Sequence, residues 1–171
     1  MNRRADVAGI PASLSEDGWC LKVTGPSGSK TLAYALLLAL PQFLVDLPIT
    51  GVEGWSAGAT WGGVRVRDLA RLVGGSKESV VGVESAERSG SYGRSSLPTA
   101  YAQHPDTLLA LTINGRTLTR DHGFPARIGA IMRLQIGIGA IGVAIGSVQD
   151  PAGVRTGRRH GGIRVPLLMT R

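Results

Sequence analysis

Cysteine is nearly absent from this chain. Cys20 is the only one in 171 residues, which excludes an intramolecular disulfide and any multi-cysteine metal site. Histidine is scarce too: His104, His122 and His160 lie far apart, without the HExxH-type spacing of a zinc site. No apolar run reaches the ~20 residues of a membrane-spanning helix. The most apolar stretch, "LQIGIGAIGVAIGSV" at 134–148, is short and Gly-rich, and reads as a buried strand or as misassigned sequence before it reads as membrane. The opening "MNRRADVAGIPASLSEDG" lacks the apolar core of a signal peptide. No GxGxxG lies between a strand and a helix, and no GxxxxGK[ST] occurs, so dinucleotide and P-loop folds are rejected.

What is present is glycine and arginine. The 25 glycines follow no collagen-like period and favour turns and close backbone approaches over a helix bundle. The net charge is +7, and among the 19 basic residues only Lys22, Lys30 and Lys77 are lysines. Arginine binds oxyanions through a planar fork of donors. Charge alone leaves two readings open, an anion-binding pocket or a basic surface that meets nucleic acid nonspecifically. The basic residues scatter, and no nucleic-acid motif accompanies them. With 43% hydrophobic and 18% charged residues, the chain is expected to fold around a real core.

Along the chain, residues 1–18 read as an irregular arm and "WCLKVTG" (19–25) as a strand turned by "GPSGS". "KTLAYALLLALPQ" (30–42) predicts a helix stopped by Pro41. "FLVDLPITGV" predicts a strand that enters a loop-like stretch rich in Gly and Trp, "ITGVEGWSAGATWGGVRVRDL" (49–69). "RVRDLARLVGG" (65–75) places Val66, Leu69, Leu72 and Val73 on one helical face, with Gly74 as C-cap. A strand at 79–86, a turn-rich connection at 89–98 and one helical turn at 99–103 follow. "DTLLALTINGRTL" (106–118) gives a buried strand with an Asn114–Gly115 hairpin turn, and 119–129 a loop leading to another strand. Strands dominate, without regular βα alternation, which predicts an α+β fold with a mixed or antiparallel sheet. We read 1–150 as one domain and 151–171, with five arginines, as a basic tail that hangs free.

Three stretches carry a resemblance: "VEGWSAGATWGGVRVRDLARLVG", "VESAERSGSYGRSSL" and "HPDTLLALTINGRTLTRDHGFPAR", in that order and spacing. Together they resemble the molybdopterin-binding domain of sulfite-oxidase-type oxidoreductases, over roughly residues 2–128. "EGWS" or "HGFPAR" alone is a weak match, whereas the ordered set is specific. The resemblance implies a mixed α+β, sulfite-oxidase-like fold and a molybdenum cofactor, with the pterin phosphate among basic and amide donors. It implies oxygen-atom or electron transfer on a small oxyanion or sulfoxide-like substrate, with a haem or quinone electron partner. Relatives are often exported or membrane-tethered, although this chain shows no export signal.

The resemblance also marks two departures. Relatives carry a molybdenum-ligating cysteine directly before "VEGWS", and here that position is Gly51. A soft thiolate suits such a metal, and glycine offers no side chain in its place. Cys20 does not match the ligand's place in the motif and reads as a small core hydrophobe. The cofactor could therefore bind without a protein thiolate, or the domain could be a degenerate, non-catalytic cofactor-binding or interaction module. After Arg127, relatives continue into a loop near a Lys-Trp pair. "IGAIMRLQIGIGAIGVAIGSV" has neither residue, which points to a truncated or divergent C-terminal part.

By resemblance, the cofactor contacts are Asn2, Arg3, Glu53, Ser56, His122 and Arg127, and Tyr92 and Arg94 lie near the metal. Each has a plainer alternative. Glu53 could cap a helix or sit on the surface, and Ser56 could cap a turn. Tyr92 and Arg94 could belong to an exposed turn, His122 to an ordinary one, and the arm bearing Asn2 and Arg3 could fray. Trp55 is expected to pack its loop and Trp61 to lie in the core. Arg127 is the leading candidate for phosphate, through charge-assisted bidentate bonding.

Overall fold

The computed structural model describes residues 15–50, 56–85, 94–129 and 143–148. Among these residues, two five-stranded sheets share one core. The first has the order β2 (Gly28–Ala33), β1 (Cys20–Gly25), β10 (Val143–Val148), β5 (Val80–Ser85) and β6 (Arg94–Leu97). β1 and β10 run parallel and the other pairs antiparallel, so this sheet is mixed. In β1 and β5 the buried residues alternate, Leu21 and Val23 on one and Val81 and Val83 on the other, which fixes the core-facing side of each. β10 lies inside the apolar 134–148 run, in keeping with the strand reading.

The second sheet is antiparallel, with the order β3 (Phe43–Thr50), β4 (Ser56–Arg65), β7 (Leu108–Ile113) and β8 (Arg116–Thr117), while β9 (Arg127–Gly129) also pairs with β7. The β7–β8 turn is the expected one. Asn114 and Gly115 both take positive φ, 49° and 73°. Leu109, Leu111 and Ile128 face Leu21, Val23 and Val83 in the main core, and α2 (Val66–Arg71) closes it with Val66 and Leu69. Val73 completes the expected helical face, whereas Leu72 is only partly buried, and Gly74 ends the turn at φ 79°. α3 (Thr99–Ala102) is the single turn expected.

Three local expectations are corrected. The helix expected over 30–42 is only Tyr34–Ala39 (α1), because Gly28–Ala33 pairs residue for residue with β1. Ladder pairing there overrides the helical propensity of Lys, Leu and Ala. Gln42 then ends α1, its Nε2 donating to the Leu37 and Leu40 carbonyls at 2.8 Å each. The Gly/Trp stretch is a ten-residue strand from Ser56 onward, not a loop. Its glycines permit that packing: a Cβ on Gly63 would collide with the Leu109 carbonyl oxygen, and one on Gly62 with the Thr112 hydroxyl. Last, Arg94–Leu97 of the turn-rich connection forms β6, drawn into the ladder by β5. The fold is α+β with a mixed sheet, as the residues predicted, and it is mostly sheet. Among the described residues, no helix is long and apolar enough to cross a membrane.

Candidate functional site

A second, smaller apolar cluster lies against the antiparallel sheet. It consists of Ala59, Trp61, Ala110 and Leu118, with Leu47, Ile113 and Phe124 packed against it. Trp61 is 5% exposed, so the core reading holds, and its Nε1–H donates to the Leu47 carbonyl at 3.3 Å. β9 delivers Arg127 opposite Ala110 at the edge of this cluster. The guanidinium carbon sits 5.2 Å from the centre of the Trp61 ring, within cation–π range. Burial lowers the Arg127 pKa from the ordinary arginine value. Among the described residues, its guanidinium has no acidic partner and no hydrogen-bond acceptor. A partly buried cation resting on an aromatic face, with its fork of donors uncommitted, is suited to an incoming anion.

The loop carrying Arg127 is tightly wound. Residues Arg120–His122 form a 3-10 turn, ended by Gly123 at φ 105°, and Phe124 N–H donates back to the Thr119 carbonyl at 2.9 Å. The Phe124–Pro125 peptide bond is cis. His122 is tied into this loop twice: its N–H donates to the Thr119 carbonyl at 2.9 Å, and its Nδ1 lies 2.6 Å from the Thr119 hydroxyl. His122 and Arg127 thus share one short, ordered return loop, while Nδ1 is already engaged and Nε2 is the ring nitrogen left over.

The other expected site residues are distributed differently. Ser56 opens β4 opposite Thr50 at the tip of the β3–β4 hairpin. Five residues of strand, roughly 17 Å, separate it from Trp61. Arg94 lies on the other sheet, at an edge, where its Nε pairs with Glu84 Oε1 at 2.8 Å across the β5–β6 ladder. Asn2, Arg3, Gly51, Glu53, Trp55 and Tyr92 lie outside the described residues, as does the 151–171 tail. Sequence reasoning missed the Trp61 platform under Arg127, the Thr119 partner of His122 and the bonding of Asn114 to Thr60. A Trp and an Arg far apart in sequence give no local signal of their contact, whereas a Thr three residues before a His is a visible ST-turn pattern.

The "DHGFPAR" loop thus brings Arg127 onto the Trp61 ring of β4, and the two segments belong to two of the stretches that carried the resemblance. The model of the oxidoreductase molybdopterin-binding domain matches residues 7–135. The chain belongs to this family. This molybdopterin-binding domain is 32% identical over 145 residues to the mitochondrial sulfite oxidase of Drosophila melanogaster, covering 70% of this chain and 25% of that one. It is 39% identical over 93 residues to YedZ1 of Azospira oryzae, which carries the name of a protein-methionine-sulfoxide reductase subunit. That match covers 54% of this chain and 34% of the relative. The sulfane dehydrogenase SoxCD from Paracoccus pantotrophus superposes with a TM-score of 0.68 at 19% identity, over 81% of this chain and 40% of that one, and so shares the fold. The molybdopterin-binding domain spans about a third or less of the length of these two curated relatives.

For the cofactor's phosphate end, the fit is good, because the uncommitted Arg127 guanidinium is the donor such a group needs. The metal end differs. Among the described residues, no group of three or more His, Cys, Asp or Glu could hold a metal ion, and Gly51 provides no side-chain donor atom.

Proposed function

We propose that this domain binds the phosphorylated pterin of the molybdenum cofactor through Arg127 and serves oxygen-atom or electron transfer on a small oxyanion or sulfoxide-like compound. The observation that carries the reading is the partly buried Arg127 guanidinium on the Trp61 face with no counter-ion among the described residues. When bound, the cofactor supplies the redox chemistry, and the protein supplies position and electrostatics. Arg127 holds the phosphate by bidentate, charge-assisted bonds. In the tautomer in which the Thr119 hydroxyl donates to Nδ1, His122 offers its Nε2–H as a donor to the same ligand. Glu53, Ser56, Asn2 and Arg3 contribute further cofactor contacts, and Tyr92 and Arg94 act toward the substrate.

Two lines support the substrate class. The relatives are named for compounds with sulfur–oxygen bonds, sulfite and methionine sulfoxide. The net charge of +7 also favours anions. Electrons pass to a haem or quinone partner.

Gly51 favours a second reading, in which the domain binds the pterin and does not turn substrate over. Metal and pterin content of protein made in a cofactor-synthesising host addresses binding: molybdenum near one per chain, with pterin fluorescence after denaturation, is expected. Finding neither overturns the proposal. The Gly51→Cys variant separates the two readings. If activity with an artificial electron acceptor arises only in the variant, the natural chain is a binding domain; equal activity in both makes it an enzyme without the thiolate.

A further inference from the structure

Trp61 occupies an awkward stretch of β4. On one side of it the β4–β7 register shifts between Gly62 and Gly63, so that Gly62 faces Thr112, Gly63 faces Ala110, and Leu111 is passed over. On the other side β7 ends at Ile113, opposite Trp61 itself, and the chain turns away. A bulge loosens and twists the strand that carries it, and a ladder end frays. The next residue, Thr60, is nevertheless held by three hydrogen bonds from two neighbours. Asn114 N–H donates to the Thr60 carbonyl at 2.7 Å, and Thr60 N–H donates to Asn114 Oδ1 at 2.9 Å. From the neighbouring strand β3, Asp46 Oδ1 accepts the Thr60 hydroxyl at 2.6 Å. The Asn114 side-chain oxygen thus replaces the backbone carbonyl that the turning chain has withdrawn.

We propose that Asn114 is a positioning residue for the anion site. By extending the ladder one residue past the end of β7, with Asp46 gripping the same threonine from β3, it keeps the Trp61 ring beneath the Arg127 guanidinium and so orients the donor fork. This deepens the proposed function and rests on the reading of Arg127 as the phosphate ligand. Asn114 itself acts through Thr60 and Trp61.

The test is calorimetric titration with inorganic phosphate of the wild type and of Asn114→Gly, Asn114→Asp and Arg127→Met. Glycine accepts the positive φ of position 114, so Asn114→Gly keeps the backbone turn while removing the side chain that carries the Oδ1 acceptor. Losing one net hydrogen bond's worth of orientation lowers phosphate affinity by about three- to tenfold, while Asn114→Asp, which keeps an acceptor oxygen, restores it. Thermal melts accompany each titration. Wild-type affinity in Asn114→Gly overturns the proposal, as does an Asn114→Asp protein as weak as the glycine variant. It is also overturned if the glycine variant loses affinity only to the extent that it has unfolded. Arg127→Met separates the two claims: phosphate binding unchanged in that variant removes the ligand reading, whereas binding lost there and unchanged in Asn114→Gly removes only the positioning role.

Discussion

Arg127→Met is the most informative single substitution, because it changes stability and binding in opposite directions. In the folded chain the guanidinium is drawn out of water without an acidic partner among the described residues. Among the described residues its favourable contact is the Trp61 ring, worth about 1–2 kcal/mol when desolvated. Methionine fills similar volume, packs on the same ring and carries no charge to desolvate. Exchanging buried ionic groups for apolar side chains is commonly neutral or stabilises by about 1–4 kcal/mol, and subtracting the lost ring contact from that stabilisation leaves a net change between about −1 and +3 kcal/mol, weighted in favour of the variant. Phosphate reverses the order. At a hundred times its Kd it stabilises the wild type by about 2.7 kcal/mol, roughly 5–10 °C in Tm for a chain of this size. Thermal melts in low-salt buffer, with and without phosphate, read both effects. The expected result is a variant that melts near or above the wild type without phosphate and does not shift when it is added. A variant that melts far below the wild type without phosphate, and still responds to it, refutes the argument.

Two further outcomes follow from packing and titration. Gly63→Ala places a methyl group against the Leu109 backbone at the bulge and is expected to cost about 3 kcal/mol in chemical denaturation, while Gly58→Ala, where the new Cβ meets nothing, stays within about 0.5 kcal/mol. Tyr34 is buried in the main core with its hydroxyl pKa raised, by burial first and the Glu16 charge second, against a Thr117 hydrogen bond that lowers it. A raised folded pKa means that the folded chain keeps the proton the unfolded chain has already released. The Tyr34 contribution is therefore complete below the ordinary phenol pKa and is lost as pH rises from there through the higher folded value. Tyr34→Phe should flatten that alkaline fall in stability, measured by denaturant titration across the window, and a slope identical to wild type counts against the assignment.

Much of this was legible in the residues, and what was not has physical causes. α2 could be read because its apolar spacing and Gly74 agree with the tertiary contacts, and the Asn114–Gly115 turn because only a few residues tolerate its backbone. The false helix over 30–33 arose because Lys, Thr, Leu and Ala have no strong strand signature, and only the partner strand reveals the pairing. β4 hid behind its own glycines, which mark turns in most sequences and here mark close backbone approach to β7. Arg127 and His122 were named from their motif, but the Trp61 face, the Thr119 hydroxyl and the Glu84 partner of Arg94 are products of the fold.

The place of β10 has a consequence for biosynthesis. The strand at Val143–Val148 lies between β1, near the start of the described chain, and β5. While a ribosome is still short of that segment, the nascent polypeptide carries two sheet halves whose facing edges have nothing to zip to. Such edges invite pairing with other chains, and this domain should need chaperone cover until β10 emerges.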